Sequence, residues 1–339
     1  MMTTKPVNLV LVGAGRMGSH HAENIAFNIS NANLFGIFDQ NLEGAKALGE
    51  KLGCEFITDN IDEIVNHPNI DGVVIAAPAR FHANLSKYFL EHGKAVFCEK
   101  PAGLTLAEIE ETSAAAEAAG LPYQIGFNRR WDRAFADAKA KIQEGAIGSP
   151  QQLRSLTRDP GPWGGDPFKI PTWTIFYETL IHDFDTLLWL NEDANVTEVR
   201  AIADALVRPD AKSHGHLDVA TVTLRFDNGA IAVAEANFCA MYGYDVRAEV
   251  LGSLGMLQMG DVRKTNMTCY DKDGAKDDTW RADSHIFASG YTAQIRAFAD
   301  AIQSGKQTGP NGRDAHRALA ISLACIESIE SGKEVQTNI

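Results

Sequence analysis

Cysteine is scarce in this chain. Five thiols in 339 residues (Cys54, Cys98, Cys239, Cys269, Cys325) form an odd set with no CxxC spacing. Neither a disulfide framework nor a zinc site follows from that pattern, and no metal is expected. Long apolar runs are missing too, which excludes a membrane-spanning helix. The first apolar run, VNLVLVG, follows a single lysine and ends in a glycine loop rather than a small-residue cleavage site, so it reads as a first buried strand and not as a secretory leader. A cytoplasmic location is the expectation, with the sequons at Asn28, Asn195 and Asn266 as chance matches. Bases are outnumbered, 31 Lys and Arg against 44 Asp and Glu, for a net charge of −13. That balance disfavours nucleic acid or an anionic membrane as a partner, while leaving room for a focused positive pocket. No internal repeat and no low-complexity segment interrupts the chain.

What is present is ordinary globular material, 45% hydrophobic and 22% charged. The length exceeds the usual size of one core and argues for two domains. In the first third, short apolar runs (VNLVLVG, NLFGIFD, GVVIAAP, KAVFCEK, PYQIGF) alternate with stretches of helical spacing (HHAENIAFNI, LEGAKALGEKLG, RFHANLSKYFLEHG, TLAEIEETSAAAEAAG). Near-continuous apolar strands separated by helices require a parallel sheet covered on both faces, a doubly wound α/β fold. After about residue 128 the pattern changes. One more helix, DRAFADAKAKIQEG, leads into runs that alternate apolar with polar residues, with Asp227-Asn228-Gly229 as a hairpin turn. This predicts an α+β domain with an open, mostly antiparallel sheet, and helices near 175–191, 291–304 and 312–331. The expected division is 1–128 and 129–339.

The sharpest local signal is VLVGAGRMGSHH. Gly13, Gly15 and Gly18 form a G-x-G-x-x-G directly after a strand and opening a helix, with Arg16 and Met17 between. Glycines serve there for the tight turn, for backbone approach to a pyrophosphate and for close helix–strand packing. The next strand ends in Asp39, where a carboxylate can accept hydrogen bonds from both hydroxyls of an adenosine ribose and would repel a 2′-phosphate. No arginine follows directly in DQNLEG. The cofactor expected is NAD rather than NADP.

Two more strand-end loops fall on the same carboxyl edge, where ligands of open α/β sheets bind. AAPARFH offers Ala77, Pro78 and His82, and FCEKPAG offers Glu99 and Lys100. Position alone leaves Lys100 open between a ligand contact and a surface cation. In ETLIHDFD, Glu178 and His182 share a helix face four residues apart, and the histidine alone is open between structure and chemistry.

Taken together, GAGRMG, the strand-end Asp39, AAPARFH, EHGKAVFCEKP, GFNRRWD and ETLIHDFD, with the C-terminal GPNGRDAHRALAISLACIESIESGKEV, resemble the Gfo/Idh/MocA oxidoreductases, a family that includes inositol 2-dehydrogenases. The resemblance covers almost the whole chain, in the family's motif order. It implies a Rossmann domain, a second domain with an open sheet, dimers or tetramers formed through that sheet, and hydride transfer between a nicotinamide cofactor and a sugar, inositol or related polyol. The family's EKP lysine falls on Lys100 and its Asp-x-x-x-His histidine on His182. Neutral His182 would take the hydroxyl proton, and the Lys100 ammonium would hold the same oxygen. Glu178 stands where inositol dehydrogenases of this family mostly carry aspartate. Three roles are open to it: orienting His182, contacting Lys100, or binding a substrate hydroxyl.

Further candidates are less specific. Arg129, Arg130 and Asp132 lie at the entry to the second domain, with substrate contact and junction salt bridging both open, Arg130 being taken for substrate. Asp159, Trp163 and Trp173 suggest a loop whose indoles could stack on a sugar ring. Asp183 and Asp185, off the Glu178–His182 face, are expected in solvated or interface roles. His20 and His21 are expected in packing or near the pyrophosphate, and His285 and Tyr291 as substrate contacts. Besides a polyol dehydrogenase, the same scaffold could act on an aldose such as apiose or glucose, on an anhydro-sugar or on a dihydrodiol. It could also serve as a dinucleotide-binding sensor without turnover.

Overall fold

The computed structural model describes residues 5–161 and 166–339. The chain divides into two compact units, 1–131 with 289–316, and 132–288 with 317–339. The first unit thus takes in 289–316, a segment that the expected division at 128/129 assigned to the second.

In the first unit six parallel strands, β1 (Val7–Val12), β2 (Ala32–Phe38), β3 (Phe56–Thr58), β4 (Gly72–Ile75), β5 (Ala95–Cys98) and β6 (Tyr123–Ile125), are ordered β3-β2-β1-β4-β5-β6. That is the order of a dinucleotide-binding sheet, reversing direction between β1 and β4. The short edge strand β3 carries no apolar run long enough to be read from sequence. Five helices connect the strands: α1 (Arg16–Phe27), α2 (Leu42–Leu52), α3 (Ile61–Val65), α4 (His82–Glu91) and α5 (Leu106–Ala119). Their ends are set by local chemistry. Thr105 and Glu108 close a capping box on α5, and Gly120 ends it in the left-handed region. The returning helix Ala288–Ser304 presses Ile295, Phe298 and Ala299 into the core made by Leu9, Leu11, Val74 and Phe97. Each large apolar side chain buried there contributes on the order of 2 kcal/mol, which is why this segment joins the first unit.

The second unit opens with α6 (Arg133–Gln143), capped by Asp132 through the amides of Ala134 and Phe135. Its seven-stranded sheet contains β7 (Pro150–Arg158), β8 (Val196–Asp204), β9 (Val219–Phe226), β10 (Ile231–Asn237), β11 (Asp245–Gly252) and β12 (Met256–Met259), with the final strand Val335–Gln336 pairing on β8. All neighbours are antiparallel except β7 and β10. Gly229, at φ 86°, makes the expected turn between β9 and β10. The run MTCYDKDG lies outside this sheet, in a separate hairpin of β13 (Arg263–Asp271) and β14 (Gly274–Thr279). Between β7 and β8 the chain forms a π-helical stretch, Ile175–Leu180, that continues as α7 (Ile181–Leu190). The remaining helices are α8 (Asp283–Ile286), α9 (Ala288–Ser304) and α10 (Gly312–Ser331), before β15 (Val335–Gln336). Among the described residues no helix is long and apolar enough to cross a membrane.

Candidate functional site

The glycine loop shows three different demands on three glycines. Gly13 sits at φ 103°, and a Cβ on it would lie 2.8 Å from the Ala77 amide nitrogen. A Cβ on Gly18 would lie 1.8 Å from the Gly13 carbonyl oxygen. Gly15 is the opposite case: nothing lies within 4 Å of the position its Cβ would take. Gly15 is also the residue that caps α1, with no side chain closing the helix end and no acid in the first turn. Exposed backbone donors, the positive end of a helix dipole and open space above Gly15 are what a pyrophosphate requires. Arg16 is exposed and Met17 half-buried at the same end.

Asp39 stands one residue beyond β2. Its Oδ2 accepts the Ala14 amide at 2.6 Å and its Oδ1 the Asn41 amide at 2.8 Å. The carboxylate therefore fixes the glycine loop before it meets any ligand, and each oxygen keeps acceptor capacity for ribose hydroxyls. The residues fit an NAD molecule: α1 would hold the pyrophosphate and Asp39 the adenosine ribose.

Behind the strand-end loops lies a buried polar cluster that the sequence did not disclose. Glu99, expected as a cofactor contact, is buried, with Oε1 2.7 Å from His21 Nε2. Its Oε2 accepts the Lys100 amide at 3.3 Å. A buried carboxylate must be partnered, and Glu99 finds its partner on α1 instead of at the surface. Gly126 makes the room, since a Cβ there would come within 3.0 Å of the carboxylate. Burial alone would raise the Glu99 pKa; the His21 hydrogen bond and charge, then Lys100 and His82, outweigh it and hold the group below the ordinary carboxylate range. His82 is likewise inside, with both ring nitrogens engaged by backbone carbonyls. Both side chains lie buried beneath the strand-end loops. Ala77 is half-buried, Pro78 exposed, and Lys100 half-exposed at this edge.

In the second unit, the helix carrying ETLIHDFD is packed on nearly all sides. Within residues 174–188 only Tyr177, Glu178 and His182 keep solvent exposure. The π-helical turn accounts for the trio. Widening the turn to i→i+5 brings Tyr177, five residues before His182, onto the face that Glu178 shares with it. Tyr177 was missed in the sequence because α-helical spacing places it elsewhere. Trp173, just ahead of this turn, holds φ 61°, rare for a bulky side chain. Asp183 and Asp185, expected in solvated or interface roles, are both buried. Asp183 accepts Ser155 Oγ at 2.5 Å and Thr157 Oγ1 at 2.7 Å, both on β7. These charge-assisted bonds pin the helix to the sheet.

The other candidates separate. Arg130 donates to Asp314 Oδ1 at 2.8 Å, a salt bridge within the first unit. Arg129 is buried in the same unit. Asp159 is nearly buried just past β7, its amide donating to Asn237 O and its carbonyl accepting from Ala240 N. Trp163 lies outside the described residues. His285 packs against Trp280. Tyr291 is buried in the first unit against His20 and His21. A cavity of about 670 Å³ opens beside Pro122 and Tyr123. It lies at the amino end of β6, the edge of the sheet away from the glycine loop, and takes no part in this chemistry.

Comparison with known proteins agrees with this geometry. Residues 7–127 match the Gfo/Idh/MocA model, described as an oxidoreductase family with an NAD-binding Rossmann fold, and residues 135–258 match the Gfo/Idh/MocA C-terminal domain. The chain is 33% identical over 327 residues to the myo-inositol 2-dehydrogenase of Thermotoga maritima, covering 96% of this chain and 97% of that one. It is 32% identical over 333 residues to the scyllo-inositol 2-dehydrogenase (NAD(+)) of Bacillus subtilis, covering 98% and 97%. The crystal structure of scyllo-inositol dehydrogenase from Lactobacillus casei with bound NAD(H) and scyllo-inositol superposes with a TM-score of 0.90 at 28% identity, over 98% of this chain and 99% of that one.

Proposed function

Since the chain belongs to the Gfo/Idh/MocA oxidoreductases with their NAD-binding Rossmann fold, we propose that it oxidises a secondary hydroxyl of a polyol or sugar, inositol-like in its array of hydroxyls, with NAD. The relatives named as inositol dehydrogenases support this substrate class. The observation that carries the reading is the half-exposed trio Tyr177, Glu178 and His182 on an otherwise buried helix. Polar side chains at the solvent-reaching positions of an otherwise buried helix can meet a ligand there.

Bound NAD supplies the hydride acceptor. The chain supplies the proton chemistry and the positioning. As hydride leaves the carbon, the hydroxyl proton passes to the imidazole of His182 acting as general base. The Lys100 ammonium holds the oxygen and stabilises its alkoxide character. Glu178 accepts from a neighbouring substrate hydroxyl or orients His182, and Tyr177 adds a hydroxyl to the same face. In reverse, His182 returns the proton as hydride adds to the ketone. The reading includes a cytoplasmic enzyme.

The reading also includes a homodimer or homotetramer built through the open face of the seven-stranded sheet. One lateral row of that face runs Ile202, Thr221, Glu235, Leu156 and Arg247, the next Arg200, Thr223, Val233, Arg154 and Glu249, and the one beyond it Arg225, Ile231, Gln152 and Leu251. Exposed Ile202 and Ile231 lie among paired charges, including Arg154 and Arg158 on Glu235 and Arg247 on Asp245. A second copy would cover this mixed surface.

The test is to incubate the protein with NAD and a panel of inositols, other polyols and aldoses while following nicotinamide absorbance. Turnover with an inositol or polyol, abolished in Lys100→Met and His182→Ala with NAD affinity held within a few-fold, is expected. Cofactor binding without turnover across the panel would convert the reading to a sensor. Wild-type activity in Lys100→Met would remove that lysine from the chemistry.

A further inference from the structure

His82 opens α4 with its ring almost wholly inaccessible, 2% exposed. Its Nδ1 lies 2.7 Å from the carbonyl oxygen of Pro101, and its Nε2 lies 2.7 Å from the carbonyl oxygen of Ala77. A carbonyl oxygen can only accept. A ring nitrogen donates only if it carries a hydrogen, and neutral imidazole carries one for its two nitrogens. If His82 were neutral, a bare nitrogen would face an oxygen lone pair in direct contact at 2.7 Å inside the protein. Only the imidazolium satisfies both contacts.

The two carbonyls are not equivalent neighbours. Ala77 belongs to the loop after β4 and Pro101 to the loop after β5, and Lys100 immediately precedes Pro101. A ring bonded to both ties the two strand-end loops together. The compensating charge is at hand in the buried Glu99 carboxylate, bonded to His21 of α1 and held ionised in part by the His82 charge. The groups that face this ring are therefore Cys98 and Glu99 at the end of β5, Lys100 beyond them, and His21 behind Glu99. Burial opposes the charge on His82, but the Cys98 sulfur and the two carbonyls outweigh it and push the pKa up to about 9.

We propose that His82 is an internal clamp, protonated on both ring nitrogens at neutral pH, that positions Lys100 by tying the loop after β5 to the loop after β4. The proposal rests on the reading of Lys100 as a group that holds substrate oxygen. His82 is a positioning residue and touches neither substrate nor the reacting atoms.

The experiment uses the NAD-bound protein with ¹⁵N-labelled histidine. Both His82 ring nitrogens should retain attached hydrogens at pH 8, where an ordinary histidine has lost one. A neutral-tautomer signature at that pH overturns the clamp, whatever Lys100 does. The same sample is titrated upward while kcat is followed for the best polyol. Loss of the His82 proton should coincide with a fall in kcat, and undiminished kcat after that proton has gone overturns the positioning role. His82→Gln, whose single amide nitrogen cannot reach both carbonyls as a donor, should lower kcat about ten- to a hundredfold, the scale of an ångström of misplacement, with NAD affinity changed no more than a few-fold. A folded His82→Gln with wild-type kcat also overturns it. If instead Lys100→Met proves fully active, the dehydrogenase reading of the lysine fails while the doubly protonated ring is still observed, so the two failures are distinguishable.

Discussion

Replacing Asp39 separates charge from hydrogen bonding in the cofactor preference. In the present geometry its two carboxylate oxygens hold the amides of Ala14 and Asn41 at 2.6 and 2.8 Å. A 2′-phosphate on the ribose would bring roughly −1.5 to −2 charges beside this carboxylate. At a separation of about 5 Å and an effective dielectric of about 20, repulsion is about 3 kcal/mol per pair of unit charges. Asp39 is only half-buried, so solvent and salt reduce the sum to about 2–4 kcal/mol, or a preference for NAD over NADP of about 30- to 1000-fold. Asp39→Ala removes that repulsion and both backbone bonds. NAD affinity should fall about ten- to a hundredfold, as one charge-assisted bond to the ribose, worth about 1.5–3 kcal/mol, is lost, while NADP falls less or improves. Asp39→Asn retains one acceptor but turns an amide N–H toward a backbone N–H, so it relaxes the preference and also loosens the loop. Titrating NAD and NADP by quenching of intrinsic fluorescence, at two salt concentrations, measures each arm. An unchanged NAD to NADP ratio in Asp39→Ala would refute the electrostatic argument and place ribose recognition elsewhere.

Gly15→Ala and Gly18→Ala should part company. The first keeps its melting temperature and loses NAD, because its Cβ enters the open space above α1; the second lowers stability by about 1–3 kcal/mol, because its Cβ meets the Gly13 carbonyl. Thermal melts with and without NAD would show both effects, and equal melting temperatures would refute the packing argument. Asp183→Ala strands two buried hydroxyls of β7 and frees the helix carrying His182, so stability should fall about 2–5 kcal/mol with kcat reduced; denaturant unfolding checks it. Tyr177→Phe should raise KM for the polyol several-fold with kcat near wild type, and steady-state kinetics with equal KM would remove Tyr177 from the substrate face. His82 gives a pH dependence of defined sign. Its folded pKa of about 9 stands above the unfolded value, so its contribution, about 3 kcal/mol, is complete below pH 6.5 and is lost as pH rises through 9. Melting temperatures from pH 6 to 10 should decline over that window, and less so in His82→Gln.

The parts of the site that could be read in advance are those encoded within a few residues. The glycine loop is a strand, a turn and a helix in one continuous stretch, and Asp39 follows at the end of the next strand. The His21–Glu99 pair joins residues 78 apart and the Arg130–Asp314 pair joins residues 184 apart, distances that local pattern does not reach. Asp183 was expected in water or at an interface because it lies off the Glu178–His182 face; its two hydroxyl donors sit on a strand 26 and 28 residues away. The π-helical turn differs from an α-helix by one residue of hydrogen-bond register, and no propensity distinguishes the two. The return of 289–316 to the first unit was hidden because an amphipathic helix shows that it has an apolar face but not which core receives it.

The packing of the Glu178 helix also says where this enzyme's selectivity can change. From Thr174 to Leu188 every other side chain is committed to the interior, and Asp183 locks the helix to β7 from behind. Substitutions at those positions would spend stability before altering recognition. Tyr177 and Glu178 are the two half-exposed positions beside His182, so under the proposed function a library of a few hundred variants at this pair tests whether this helix sets the choice of sugar.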